Sequence, residues 1–225
     1  MWCVAQLDEH YVARMEDVLE LYERPHNPQE PVVCLDEKPV TLHDEVRPRQ
    51  TARPGQIAKY DSEYKRHGTA NVFCAVEPKA GRHFTWVSRK RSAAEFAQTI
   101  RQLVQSYPRA RTIHLVVDNL NIHCRKSLTD RWGDQLGAAL WRRLTVHHTP
   151  KHGSWLNQAE IEIGLFSRQC LGKRRIPDLS QLKRESAAWN RRLNRDRLLI
   201  QWNFTRLDAQ RVFHYQSNLF SRSEN

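Results

Sequence analysis

Two short apolar runs, each ending in an aspartate, constrain the fold of this chain more than any other feature. The first covers residues 32–36 and ends at Asp36, and the second covers residues 113–118 and ends at Asp118. Apolar runs of this length are typical of strands buried in a sheet. Open α/β sheets keep their reactive groups at the carboxyl ends of strands. We therefore expect both aspartates to lie at a functional edge of one sheet.

The rest of the pattern predicts an α/β fold with the order β-β-β-α-β-α-β-α. The predicted strands cover residues 32–36, 69–76, 83–88, 112–118 and 144–148. The predicted helices cover residues 8–22, 92–107, 124–141, 155–171 and 180–214. Three antiparallel strands followed by alternating strands and helices give a mixed sheet flanked by helices. Ribonuclease-H-like folds have this order.

The domain organisation follows from the breaks in this pattern. A length of 225 residues suits one globular domain with appendages. Residues 1–30 are predicted to form an amphipathic helix and linker that lead into the main domain, residues 31–175 the main domain, and residues 176–225 a basic helical segment. No apolar run is long enough to span a membrane, and the N-terminus lacks signal-peptide features. Five scattered cysteines without a C-x-x-C motif indicate a reducing, cytoplasmic environment.

Charge is distributed very unevenly along the chain. The formal net charge is +11, but residues 1–46 carry 11 acids against 3 basic residues, whereas residues 47–225 carry 33 basic residues against 14 acids. A basic body of this strength predicts a nucleic-acid partner. The side chains expected to contact phosphates are Arg47, Arg49, Arg53, Arg191, Arg192, Arg195 and Arg197. For the late cluster, an ordinary solvated helix face is the alternative.

A third acid, Glu160, stands near the start of the helical pattern that follows the fifth strand. Three carboxylates brought together suit Mg²⁺, which prefers oxygen ligands, and two such metals support phosphodiester chemistry. Taken singly, each acid has an ordinary alternative as a turn or surface residue. Glu37 should point away from the face that Asp36 occupies. Glu160 and Glu162 lie about 200° apart around a helix, and the apolar pattern does not choose between them.

Histidines and one tryptophan offer other interpretations. His123, His147, His148 and His152 lack the cysteine companions and spacing of a zinc site, so structural or DNA-contacting roles are favoured. Trp155 is expected to anchor its helix in the core, with stacking on a DNA base as the alternative. No G-x-S-x-G motif is present, which argues against a serine hydrolase.

Three motifs together resemble those of the DDE transposases of bacterial insertion sequences, the prokaryotic branch of the mariner superfamily. They are D-E-K at residues 36–38, V-D-N-x-N-x-H at residues 117–123 and W-L-N-x-x-E at residues 155–160. The resemblance extends over residues 30–214 and implies a ribonuclease-H-like DDE catalytic domain in residues 31–175. It assigns Asp36, Asp118 and Glu160 as the catalytic, metal-binding triad, and so chooses Glu160 over Glu162. The supporting residues in these motifs are Asn119, His123, Trp155 and Asn157.

The resemblance also implies an activity and its partners. Members of the family use Mg²⁺, or Mn²⁺ as a substitute, to cut double-stranded DNA at transposon ends and join the 3′-hydroxyl to target DNA. A homodimer is expected by family analogy, as is a bacterial cytoplasmic protein that reaches the nucleoid through DNA. Family members carry helix-turn-helix segments before the catalytic domain, and the acidic residues ahead of Asp36 do not supply them. We therefore expect the catalytic part of a longer transposase, a second reading frame or a truncated relic.

Two alternatives to a working transposase stay open from the sequence. The first is a truncated or inactive remnant that still binds DNA through its basic surface. The second is a ribonuclease-H-like nuclease that hydrolyses DNA without transferring strands. The complete set of three acids argues weakly against the remnant.

Overall fold

Three antiparallel strands and two parallel ones form the central sheet. The structure, a computed structural model, describes residues 7–48, 50–59 and 61–216. Its strands are β1 (Val32–Glu45), β2 (Tyr64–Glu77), β3 (Arg82–Ser88), β4 (Ile113–Val117) and β5 (Leu144–His148). They lie in the order β3-β2-β1-β4-β5, with β1 to β3 antiparallel and β4 and β5 parallel to β1. The predicted mixed sheet and its strand sequence are confirmed.

Helices cover both faces of the sheet. They are α1 (Glu9–Glu23), α2 (Ala93–Ser106), α3 (Arg125–Trp141), α4 (Ala159–Phe166), α5 (Leu179–Asp196) and α6 (Arg206–Phe213). Helices α2 and α3 bury one face of the sheet, where Phe96, Ile100 and Leu128 pack against its apolar residues. The opposite face is covered by α1, α4 and α5. No helix in the described part of the chain combines the length and apolar character needed to cross a bilayer.

Helix α1 is built into the folded body and is not an appendage. Met15, Val18 and Leu19 are fully buried, in the same cluster as Cys34 of β1 and Val116 of β4. The prediction of an amphipathic helix is correct, but its apolar face packs directly on the sheet, because that face would otherwise expose a broad apolar surface to water. The domain boundaries at residues 30 and 175 remain predictions.

Several elements differ in extent from the sequence prediction. Strands β1 and β2 continue beyond the buried sheet as a ribbon in which residues 64–69 are exposed, so no apolar pattern marks this part. The predicted helix over residues 155–171 is divided into a 3₁₀ turn at Ser154–Leu156, helix α4 and a π-helical turn at Ser167–Leu171. The predicted helix over 180–214 is two helices, because the chain leaves α5 through Arg197 in the left-handed region.

Candidate metal centre

The two aspartates lie just beyond the parallel pairing of β1 with β4. Asp118 follows the end of β4, as predicted, but Asp36 lies inside β1, which continues to Glu45 in its pairing with β2. Cys34 of β1 pairs with Val116 of β4, and continuing this register by two residues sets Asp36 beside Asp118. Both side chains are half-buried. Glu160, at the start of α4, is exposed and close enough for its charge to act on Asp36. The structure thus places the three acids that the sequence motifs indicate in one region, near enough for the charges of Glu160 and Asp118 to act on Asp36.

Asn157 fixes the start of α4 over strand β1. Its buried side-chain amide donates from Nδ2 to the carbonyl of Leu35 (2.9 Å), and its Oδ1 accepts from the backbone N–H of Ala159 (3.1 Å). The hydroxyl of Tyr22, on α1, donates to the carbonyl of Leu156 (2.7 Å). These bonds hold the segment before Glu160 against the strand that carries Asp36.

The electrostatics of Asp36 favour a bound cation. Burial raises the pKa of Asp36 to about 7, and the nearby charges of Glu160, Glu37 and Asp118 add to the increase, against a hydrogen bond from the backbone of Glu37. Carboxylates crowded in this way repel each other unless protons or a cation neutralise them. Because carboxylate oxygens are the ligands that Mg²⁺ and Mn²⁺ prefer, the donor set fits a divalent metal.

A buried histidine connects Asp118 to Glu37. His123 lies with Nδ1 at 2.8 Å from Asp118 Oδ1 and with Nε2 at 2.9 Å from Glu37 Oε1. Burial lowers the pKa of His123, but the hydrogen bonds to Asp118 and Glu37 outweigh this effect and raise it to about 10. Burial likewise acts to raise the pKa of Asp118, yet the hydrogen bond from His123 lowers it overall. The imidazolium therefore keeps Asp118 ionised and fixes its orientation.

Glu37, Asp118 and His123 also form a compact group with the residue types of a metal site. One ligand atom from each lies within 4.8 Å of the others. Both imidazole nitrogens are already hydrogen-bonded to carboxylates, however, so a metal on His123 would displace one of these bonds. We interpret Glu37 and His123 as support for Asp118. The Glu37–His123 contact was missed from sequence because 86 positions separate the two residues.

The two glutamates of α4 occupy opposite environments. Glu162 is fully buried and lies 2.9 Å from Nδ1 of His83 on β3. Glu160 faces outward on the side of Asp36. The side chain of Glu162 is therefore engaged in the interior, and Glu160 is the acid of this pair that is available at the sheet edge.

The remaining residues of the three motifs have structural contacts. Asn119 is exposed, donates to the carbonyl of Thr149 and accepts from Arg14 at 2.6 Å. Trp155 is half-buried and packs against Trp202 and Phe204, in agreement with an anchoring role.

The other histidines show no zinc-like arrangement among the described residues. His147 contacts Asp17 (2.7 Å) and His114 (3.0 Å), and His148 Nδ1 lies 3.2 Å from the carbonyl of Asp118. His152 is exposed.

The arginines predicted to contact DNA lie on two exposed segments. Arg47 and Arg53 belong to the loop between β1 and β2, while Arg49 lies outside the described residues. The later group on and after α5 is exposed and comprises Arg191, Arg192, Arg195 and Arg197. Within the described residues, the arginines of these two segments make no hydrogen bond or ion pair with the three acids, so their role stays a prediction.

Comparison with known protein families identifies the family to which the chain belongs. Residues 31–183 match the family model described as DDE superfamily endonuclease. A search of curated proteins gave no significant match.

Solved structures show a similar fold at low sequence identity. The Mos1 mariner paired end complex with Mn matches with a TM-score of 0.55 and 17% identity, covering 88% of this chain and 61% of that chain. The Mos1 Strand Transfer Complex gives 0.54 and 17%, covering 88% and 60%. A pre-cleavage Mos1 transpososome gives 0.55 and 16%, covering 88% and 61%. This chain thus spans less than two thirds of the Mos1 chains, and the likeness confirms the ribonuclease-H-like fold class.

Proposed function

The chain belongs to the DDE superfamily of endonucleases, and from this premise we propose that it is a DNA transposase of the mariner superfamily, of the branch found in bacterial insertion sequences. The observation that supports the proposal is that the register of β1 and β4 sets Asp36 beside Asp118, with Glu160 near enough for its charge to act on Asp36. The carboxyl ends of parallel strands are where open α/β sheets place their chemistry. The proposed substrates are double-stranded DNA at transposon ends and a target duplex.

Each acid has a distinct part in the proposed centre. Asp36 and Asp118 would together hold one divalent cation, and Glu160 would help to hold a second. Two Mg²⁺ or Mn²⁺ ions, when bound, supply charge stabilisation at the attacking and leaving oxygens of phosphoryl transfer. His123 keeps Asp118 ionised and oriented, and Asn157 keeps α4 against β1. The protein thus contributes mainly positioning and electrostatic stabilisation.

DNA binding is supported by charge and by the fold relatives. The Mos1 structures are a paired end complex, a strand transfer complex and a transpososome. We propose that the exposed arginines of this chain hold DNA phosphates, because guanidinium groups bind phosphate oxygens in pairs. From the motif resemblance alone, we further propose that the active form is a homodimer in the bacterial cytoplasm, brought to the nucleoid by DNA.

Cleavage of a plasmid that carries the DNA flanking the gene tests the proposed chemistry. With Mg²⁺, the wild type should nick or cut this plasmid, and Asp118→Ala should lower the rate at least about 100-fold because a metal ligand is lost. The matched control is Asp130→Ala, which removes an exposed acid of α3 that pairs with Lys126. Equal cleavage by the wild type and Asp118→Ala would reject the assignment.

The products of the same reaction separate the proposed function from its alternatives. Joined products in which a 3′-end has been transferred to a second plasmid are expected for a transposase. Hydrolysis products alone would indicate a nuclease without strand transfer. DNA binding with neither product and no metal binding would indicate an inactive remnant.

A further inference from the structure

A fully buried pair, His83 and Glu162, connects the edge strand β3 to helix α4. His83 Nδ1 lies 2.9 Å from Glu162 Oε2, and neither side chain is exposed to solvent. The other ring nitrogen of His83 lies 2.8 Å from the carbonyl of Leu198. Asn194 of α5 accepts from the backbone N–H of His83 (2.9 Å) and donates to its carbonyl (2.8 Å). The backbone of His83 and one of its ring nitrogens are therefore fixed by contacts with Asn194 and Leu198, and the other ring nitrogen contacts Glu162.

A contribution to the free energy of unfolding does not by itself explain why the fully buried pair of His83 and Glu162 is polar. The ring of Trp189 lies against His83, and Phe166 packs on Trp189. Among the described residues, the second carboxylate oxygen of Glu162 has no hydrogen-bond partner. Replacing a buried ion pair by apolar side chains of similar volume is often neutral or stabilising. A hydrogen-bonded pair differs from an apolar contact in that it is directional. Here it fixes the orientation of α4 relative to β3.

That direction has a consequence for Glu160. Helix α4 has only eight residues and runs directly into the π-helical turn, so its own length does little to fix its rotation. Positions 160 and 162 lie about 200° apart around a helix, so they project to opposite sides. When Glu162 is held toward β3, Glu160 must face the side of β1, where Asp36 lies.

We propose that His83 and Glu162 are positioning residues that set the rotation of α4 and thereby hold Glu160 at the metal centre. Neither residue contacts the metal in this arrangement. The inference rests on the proposed function, because it gives the pair a role only if Glu160 binds metal. Partners that orient a metal ligand typically change metal affinity by about 10- to 100-fold when removed.

The test is Mn²⁺ binding to the metal-free full chain, measured by electron paramagnetic resonance of the free ion. The double variant His83→Leu/Glu162→Met keeps an apolar, filled interior but removes the directional bond. It should unfold cooperatively and bind Mn²⁺ at least about 10-fold more weakly than the wild type. The single variant Glu162→Gln keeps an oxygen that accepts from His83, so it should bind Mn²⁺ with an affinity close to that of the wild type.

Two further variants separate positioning from a general loss of stability. Tyr107→Phe removes a buried hydrogen bond to Glu77 (2.8 Å) in which neither His83 nor any residue of α4 takes part, and should lower stability without changing the affinity for Mn²⁺. Asn194→Ala releases the backbone of His83 without burying an unpaired charge, and should weaken Mn²⁺ binding in the same direction as the double variant. If the double variant does not fold, the Mn²⁺ affinity of Asn194→Ala tests the positioning role instead.

Glu160→Gln distinguishes failure of this inference from failure of the proposed function. If Glu160→Gln weakens Mn²⁺ binding but neither the double variant nor Asn194→Ala does, the positioning role is overturned and the metal centre stands. If the wild type does not bind Mn²⁺, or if Glu160→Gln binds it as tightly as the wild type, the assignment of Glu160 fails and the inference fails with it.

Discussion

Two of the three motif acids, Asp36 and Glu160, have a second acid one or two positions away. In each pair the two side chains have different surroundings. Asp36 and Glu160 face the sheet edge, whereas their neighbours Glu37 and Glu162 are buried and paired with histidines. At the residue scale, two carboxylates one or two positions apart therefore have different environments. For Asp36 and Glu160, the neighbouring carboxylate is buried against an imidazole, and this burial separates it from the acid proposed to bind metal.

Asp36 should act against stability when no metal is bound. Its half-buried carboxylate lies near three other acids, so Asp36→Asn should raise the melting temperature in the presence of a chelator by removing this repulsion. The same variant should lose the rise in melting temperature that Mn²⁺ gives the wild type, since a ligand bound to the folded state stabilises it by about 2.7 kcal/mol at 100 times its Kd. Differential scanning calorimetry with and without Mn²⁺ measures both effects.

An unchanged response of Asp36→Asn to Mn²⁺ would show that the ion binds elsewhere. Asp130→Asn, at an exposed position on α3, is the control and should respond to Mn²⁺ as the wild type does.

His123 should be essential to the fold as well as to the site. His123→Leu leaves the carboxylate of Glu37 buried without its imidazole partner, and breaking a buried pair in this way costs about 3–5 kcal/mol of unfolding free energy. Urea denaturation of the metal-free chain provides the measurement. His10→Leu, at an exposed position on α1, should change the unfolding free energy by less than about 0.5 kcal/mol. A similar small effect for His123→Leu would contradict the described contact.

At the element scale, the segment between β5 and α4 depends on one amide. Asn157→Ala removes the bond to the carbonyl of Leu35 and the bond to the N–H of Ala159. Leaving a buried carbonyl unpaired costs about 1–3 kcal/mol, so the unfolding free energy should fall by at least that amount. Asn203→Ala, at an exposed position, is the matched control. Equal urea midpoints for the two variants would rule out this role for Asn157.

The sequence predicts those elements that have a strong apolar pattern and misses those fixed by polar contacts. Strand β5 has the predicted bounds, and β4, in which four of five residues are buried, differs by one residue at each end. The outer part of β2, residues 64–68, is not predicted, since these residues are exposed and mostly polar. Similarly, no periodicity distinguishes the 3₁₀ and π-helical turns that flank α4 from a continuous helix.

The sequence indicates the three acids and names His123 and Asn157 as supporting residues, but it does not predict the contacts that these supports make. Asp36 and Asp118 end apolar runs, and a motif resemblance selects Glu160. The partners of His123 and Asn157, Glu37 and the carbonyl of Leu35, come from the fold. His83 and Glu162 are 79 positions apart in the sequence, so only the fold brings them together.

At the scale of the whole molecule, the basic surface should determine how the chain binds DNA. Arg191 and Arg195 lie four residues apart on the exposed face of α5. If each contacts a phosphate, Arg191→Ala/Arg195→Ala should reduce the slope of log K against log salt by about 1.8, since each neutralised phosphate of a duplex contributes about 0.9. Fluorescence anisotropy of a labelled duplex over a range of NaCl concentrations gives this slope.

The control for the surface prediction is Arg111→Ala, which removes an arginine already paired with Glu30 at 2.8 Å. It should leave the slope nearly unchanged. An equal slope for the wild type and the α5 double variant would mean that this cluster is an ordinary solvated face.

Helix α1 packs in part against α6, which lies near the C-terminal end of the described residues. Its buried residues share one cluster with Cys34, Val76, Val116 and Ala209, and Glu23 binds Arg206 at 2.9 Å. Contacts between such distant positions form slowly, because long stretches of chain must first be brought together. During synthesis on the ribosome, α1 emerges long before α6. Part of its apolar face is therefore expected to remain available to chaperones until α6 has been translated.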